Sequence, residues 1–302
     1  MTNQFVNAVY YPSWKIYKGL APSELQFQLI THIFYAFARI NTDGTLRLLD
    51  EKADTQLTVD GEQGCFTTLA KLKRQNPHIK TLLSVAGGSG SASFPAVAAS
   101  FQVRESFART ARELEHPETP AEGENFVHLL RATQAALPSP THQLSTALPM
   151  GQYYLKNINL FEAAQELDLL NLMGYDFAGP WTEISGHQAQ LFTPYGDGSP
   201  SLKKSCSNGV KYVLSRGFPA NKLVLGIPAG EVDYESLPPE WVEKAQVDYA
   251  LGVVYYINLQ GKGFVSFDVP GTGLAGLFNW TGAGDTKGES SLVASGYKAL
   301  SR

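Results

Sequence analysis

Apolar positions along this chain alternate between two patterns. Short runs rich in β-branched and aromatic residues occupy residues 5–11, 32–40, 79–86, 144–149, 167–175, 223–228 and 274–280. Several, such as Leu169-Leu170-Asn171-Leu172-Met173, are apolar without alternation, as in strands covered on both faces. Between them lie helically spaced segments at residues 23–30, 64–75, 94–114, 122–136, 157–166, 202–216 and 291–300. Phe107, Ala111 and Leu114 fall at i, i+4 and i+7 of the third, while Glu124, Asn125 and His128 mark the polar side of the fourth. Strands alternating with amphipathic helices predict a parallel sheet wrapped by those helices.

Residues 230–268 break the rhythm. They offer Pro238-Pro239, a helical piece at 240–248, and two short strands at 252–257 and 263–267 around Gln260-Gly261, a hairpin signature. With no internal repeat, the pattern predicts one domain over residues 1–302 carrying a small α+β insertion.

Composition narrows the function classes. With 302 residues, 43% hydrophobic and 17% charged, the chain can bury a large core and is not a disordered tail. A net charge of −4, with Lys71-Leu72-Lys73-Arg74 as the longest cationic cluster, argues against a nucleic-acid partner. No run approaches the roughly 18 apolar residues of a membrane span. Residues 1–7 have neither a basic head nor an apolar core, so a cytoplasmic or unconventionally exported protein is expected, or an extracellular one should the true N-terminus differ; a monomer is expected as well. Cys65 and Cys206 lack CxxC or Cys/His spacing, which predicts buried thiols and neither disulfide scaffold nor zinc. His32, His116 and His187 show no ligand spacing to one another. Gly87-Gly88-Ser89-Gly90 lacks the GxGxxG pattern, so it reads as a tight turn near a ligand, and no cofactor is expected.

In parallel βα folds, ligands sit outside the carboxyl ends of the strands. Those ends here read Tyr10-Tyr11-Pro12-Ser13-Trp14, Phe34-Tyr35-Ala36-Phe37, Ser84-Val85-Ala86-Gly87-Gly88, Met173-Gly174-Tyr175-Asp176 and Phe278-Asn279-Trp280. Any one aromatic could be core, but together they suit an amphipathic ligand such as a sugar, with hydroxyls at its edge and C–H faces above and below. Asp176 closes a strongly apolar strand, where a carboxylate is costly unless paired or used. Glu115, in Glu115-His116-Pro117-Glu118, reads either as a second functional acid or as a capping or surface residue before a helix.

The runs Tyr10 to Trp14, Thr31 to Ala38, Ser84 to Gly88, Met173 to Phe177, Leu223 to Ala229 and Gly276 to Trp280, in order along nearly the whole chain, resemble the family 18 glycoside hydrolases, the fungal-type chitinases. The resemblance implies a (β/α)8 TIM barrel with an insertion after the seventh strand, here shortened to residues 230–268. It also implies cleavage of β-1,4-linked N-acetylglucosamine polymers by substrate-assisted retention, the substrate's acetamido oxygen being the nucleophile. Glu115 then matches the acid that protonates the leaving oxygen. Tyr175 and Asp176 match the residues that hold the acetamido group, Trp280 the floor of the cleavage site, and Tyr10, Phe37 and Met173 its lining. Chitin or N-acetylglucosamine oligomers are the partners implied.

The sequence departs from that family at one place above all. The Asp-rich fourth strand, DGxDxDxE, is absent, and the helix at 94–114 runs directly into Glu115-His116-Pro117. Glu115 keeps the register of the acid but loses its Asp neighbours, which compromises proton delivery. Gly230-Glu231-Val232 stands where the family has Tyr-Gly-Arg, and only Gly271-Thr272 separates Asp268-Val269-Pro270 from Gly273. The expectation is a barrel incomplete at its fourth strand, and beside the hydrolase reading stands an inactive, lectin-like oligosaccharide binder.

Overall fold

The computed structural model describes residues 5–87, 90–108, 120–178, 189–193, 204–228, 273–285, 287–288 and 291–300. In chain order the strands are β1 (Val6–Pro12), β2 (His32–Ile40), β3 (Leu46–Leu48), the hairpin β4 (Thr58–Val59) and β5 (Glu62–Gln63), β6 (Lys80–Val85), β7 (Ser145–Pro149), β8 (Leu169–Met173), β9 (Leu223–Pro228) and β10 (Gly276–Trp280). The helices are α1 (Gly64–Gln75), α2 (Phe94–Ala99), α3 (Phe101–Ala108), α4 (Pro120–Ala136), α5 (Gln152–Leu155), α6 (Leu160–Glu166), α7 (Cys206–Ser215) and a last one, α8 (Leu292–Leu300). None of the helices described is long and apolar enough to cross a membrane. The expected insertion at 230–268 lies outside the described residues.

The strands pair in the order β6-β2-β1-β10-β9-β8-β7, all parallel, and β3 adds antiparallel to the far end of β2. This is the strand order of a TIM barrel with one place open. Among the described residues no strand stands between β6 and β7, the gap expected where the fourth barrel strand belongs. The sheet curls into an arc around an interior of Ala8, Tyr10, Phe34, Ala36, Leu82, Leu169, Val224 and Phe278. The outer face follows from period-2 alternation. Val9, Tyr11, Ile33 and Tyr35 pack outward with Leu69 of α1 and Val293 of α8. Leu148, Leu170, Leu172 and Leu225 pack with Phe126 and Leu130 of α4, Ala163 of α6 and Val213 of α7.

Two of the expected helices are corrected. Residues 23–30 form only the short 3₁₀ turn Pro22–Glu24 and irregular turns. The carbonyls a helix would use there are taken from outside: Asn7 Nδ2 donates to Leu29 O at 2.7 Å, and His78 Nε2 bonds Phe27 O at 3.0 Å. The helix expected at 94–114 is broken after Ala99. Ser100 takes extended backbone angles, its Oγ accepts from Val103 N at 3.4 Å, and α3 starts anew behind it. Phe107 still packs edge-on to Phe94 across the break, with ring centroids 5.8 Å apart. Residues 109–114 lie outside the description.

Candidate active site

The carboxyl ends of β1, β2, β8 and β10 converge on one row of aromatic rings. Tyr10 stacks on Phe34 at 4.8 Å and meets Phe278 and Trp280 edge-on at 5.5 and 5.3 Å. Trp280 stacks on Phe37 at 5.8 Å with 24° between the planes, and beyond it Trp14 lies 6.0 Å from Phe37. Trp280, Phe37, Met173 and Tyr175 are half-buried against the barrel interior, while Trp14 is exposed at the rim. Tyr175 approaches Phe278 edge-on at 6.3 Å.

Local backbone devices aim these rings. The pairing of β2 with β6 shifts register between Ala36 and Ala38, so Phe37 is the extra residue of a bulge and is turned out of the ladder. Gly87 lies against it: with φ +66°, a Cβ there would stand 2.6 Å from the Phe37 ring. On β9, Gly226 leaves the space that Phe278 fills, since a Cβ would come within 2.3 Å of that ring. The peptide bonds Ala36–Phe37 and Trp280–Thr281 are cis.

Polar groups border the row. Asn171 Nδ2, buried in the interior, donates to the Tyr10 hydroxyl at 3.2 Å. Gly174 and Cys206 hold the exit of β8, the thiol reaching Gly174 O at 3.5 Å, and burial pushes the Cys206 thiol up to about 12. The next residues carry Tyr175 into the cluster and leave Asp176 exposed, in left-handed backbone at φ +59°. Such a backbone is unusual outside glycine, though Asp tolerates it, and it recurs at functional sites. No group of three or more His, Cys, Asp or Glu able to hold a metal occurs among the described residues.

Of the residues singled out from the sequence, Tyr10, Phe37, Met173, Tyr175 and Trp280 are brought together, and Asp176 follows directly on the cluster. Glu115 lies outside the described residues. Trp14, one of the strand-end aromatics of the sequence, joins the row at its rim, and Asn171 borders it without having been singled out. The signal for Asn171 was a lone amide in an apolar strand at even spacing from Leu169 and Met173, which puts it on the inward face.

An aromatic-lined mouth at the carboxyl end of a parallel barrel is where such folds hold their ligands. The chain belongs to the glycosyl hydrolases family 18, whose model matches residues 6–275. Chitinase 1 of Aphanocladium album is 29% identical over 371 aligned residues, covering 98% of this chain and 85% of that one. That aligned length exceeds the 302 residues present here, so the relative carries segments this chain lacks. Among solved structures, chitinase ChiA74 from Bacillus thuringiensis superposes with a TM-score of 0.78 at 21% identity, covering 98% of this chain and 69% of that one. The Ostrinia furnacalis Group IV chitinase gives 0.77 at 23%, covering 99% of this chain and all of the other.

Proposed function

We propose that the chain is a chitinase-like glycoside hydrolase that takes β-1,4-linked N-acetylglucosamine oligomers into the barrel mouth, with its own turnover reduced to near background. The observation that carries this reading is the stacked Phe37–Trp280 pair closed by the edge of Tyr10, a flat apolar floor beside Tyr175 and Asp176. A pyranose ring lies with one C–H face on Trp280, and its acetamido group meets Tyr175 and Asp176. In the assisted reaction the acetamido oxygen attacks the anomeric carbon and the glycosidic C–O bond breaks. The leaving oxygen takes a proton from Glu115, and water then opens the cyclic intermediate with retention. Positioning and acetamido contacts are supported by the ring cluster. Proton delivery is the weak step, because the sequence leading into Glu115 lacks the family's Asp residues, and general acid catalysis contributes about 10² to 10⁴ in rate.

Two measurements test this. Release of a fluorescent leaving group from a chitobioside should stay near background. Robust turnover abolished by Glu115→Gln would replace this reading with that of a working chitinase. In titration calorimetry with N-acetylglucosamine oligomers, Trp280→Ala should weaken binding more than Glu115→Gln does, because stacking depends on ring position and the acid acts on a transition state. Unchanged affinity in the Trp280 variant would remove that residue from the site. A lectin-like role without any catalysis is the second reading, favoured by the place between β6 and β7 where no strand stands among the described residues.

A further inference from the structure

Next to the aromatic row, the end of β2 and the turn that leaves β6 are joined by a cation that the row itself does not include. Arg39 lies on β2 two residues after Phe37 and is half-buried. Arg47 of β3 stands directly opposite it in the antiparallel pairing. Like charges facing each other across a ladder are unfavourable, so the pairing gives no reason for an arginine here.

The reason lies in what its guanidinium reaches. Arg39 Nη1 donates to Ala86 O at 3.3 Å, and Ala86 N donates to Ala38 O at 2.7 Å. Both backbone groups of Ala86 are thus tied to consecutive residues of β2. Ala86 is buried at φ +75° and Gly87 follows at φ +66°, two successive left-handed positions of which only the second is a glycine. A non-glycine residue in that region is strained and persists where its surroundings over-determine it. Gly90 shows how close the approach is: a Cβ there would stand 2.0 Å from Arg39 Nη1 and 2.4 Å from Ala86 O, so guanidinium, carbonyl and glycine backbone meet at one point. Gly90 N also donates to Gly87 O at 2.8 Å. Gly87 in turn lies against the Phe37 ring, which a Cβ would approach to 2.6 Å.

We propose that Arg39 is a positioning residue for Phe37: by holding Ala86 O it fixes the left-handed pair Ala86-Gly87 against which the Phe37 ring rests, and so keeps that ring stacked on Trp280. A charged donor makes a stronger hydrogen bond than a neutral one, which suits it to hold the carbonyl of a strained residue. The consequence for ligand affinity rests on the sugar-binding reading above, whereas the placement of the rings does not.

The test has one readout that needs no ligand and one that does. Acrylamide quenching of Trp280, isolated by difference from the Trp280→Phe variant, should rise in Arg39→Met, which keeps an apolar stem and removes the donor. Phe37→Ala should raise it at least as much, and adding Arg39→Met to Phe37→Ala should raise it no further, the non-additivity expected when one residue acts through the other. In calorimetry with the N-acetylglucosamine tetramer, Arg39→Met should weaken binding about two- to tenfold, the size of one aromatic contact, and should again add nothing to Phe37→Ala. If Arg39→Met fails to fold, Gly90→Ala tests the same contact from its other side, because the methyl enters the space shared by the guanidinium and the Ala86 carbonyl while Arg39 stays in the chain. It should give the same rise in quenching. Unchanged quenching in the folded variants, or a rise that adds in full to that of Phe37→Ala, would overturn the proposal. A chain that binds no oligomer would overturn the sugar-binding reading instead, and quenching alone would then decide the role of Arg39.

Discussion

His32 sits inside the barrel at its amino-terminal end, buried and stacked on Phe34. Its Nδ1 lies 2.7 Å from Thr31 Oγ1 and its Nε2 3.0 Å from Gln143 Oε1. A neutral ring protonated on Nε2 satisfies both contacts, donating to Gln143 and accepting from Thr31. Burial, reinforced by the Lys80 ammonium and opposed by the Gln143 bond, brings its pKa from 6.5 down to about 4. Above pH 6.5 both folded and unfolded chains hold a neutral ring, so the residue gives no pH dependence there. Between 6.5 and 4 the unfolded chain takes up a proton that the folded chain refuses, and stability falls as the pH falls. The shift corresponds to about 3 kcal/mol lost across that window. Denaturant unfolding of the chain and its His32→Gln variant at a series of pH values should show the variant with the shallower acid-side decline. Parallel curves would mean that His32 titrates alike in both states.

At the scale of elements, the bulge in β2 is what makes the site. An unbroken strand would keep Phe37 in the ladder, whereas the shift between Ala36 and Ala38 turns it onto Trp280. Gly87 permits that position, so Gly87→Ala meets both a left-handed backbone and a ring 2.6 Å from the new methyl. The expected outcome is a loss of about 1 to 3 kcal/mol in stability together with weaker oligomer binding, as Phe37 is pushed from Trp280. A variant that binds as well as the unaltered chain would show that Phe37 does not shape the floor. The strands were legible because burial on both faces leaves continuous apolar runs, and the row of strand-end aromatics was legible from the order of those runs. The bulge was not, because Phe34-Tyr35-Ala36-Phe37 reads equally well as uninterrupted strand. Nor was the break at Ser100, where extended backbone ends one helix and the hydroxyl accepts at the start of the next, or the loss of the helix at 23–30, decided by Asn7 and His78 from distant segments. Such contacts are tertiary and leave no local period to read.

At the scale of the whole molecule, the place between β6 and β7, where no strand stands among the described residues, bears on what the barrel can do. β1 is paired on both sides, to β2 and β10, and β10 to β1 and β9, so the arc is complete beneath the aromatic row. Among the described residues β6 pairs only with β2 and β7 only with β8. The His32–Gln143 bond spans from the start of β2, the strand next to β6, to the entry of β7, a side-chain contact across the place where no ladder occurs among the described residues. Among the described residues β6 and β7 each lack a second ladder, and backbone groups so placed open more readily than those paired on both sides. The ring row therefore stands on the part of the arc whose strands are paired on both sides. Amide hydrogen exchange followed by mass spectrometry should show β1 and β10 as the most protected strands, with β6 and β7 exchanging at least tenfold faster. Adding the N-acetylglucosamine hexamer should slow exchange around Phe37 and Trp280 more than in β7. Protection of β6 and β7 equal to that of β1 would mean that another strand lies between them, and would count against the proposed loss of turnover.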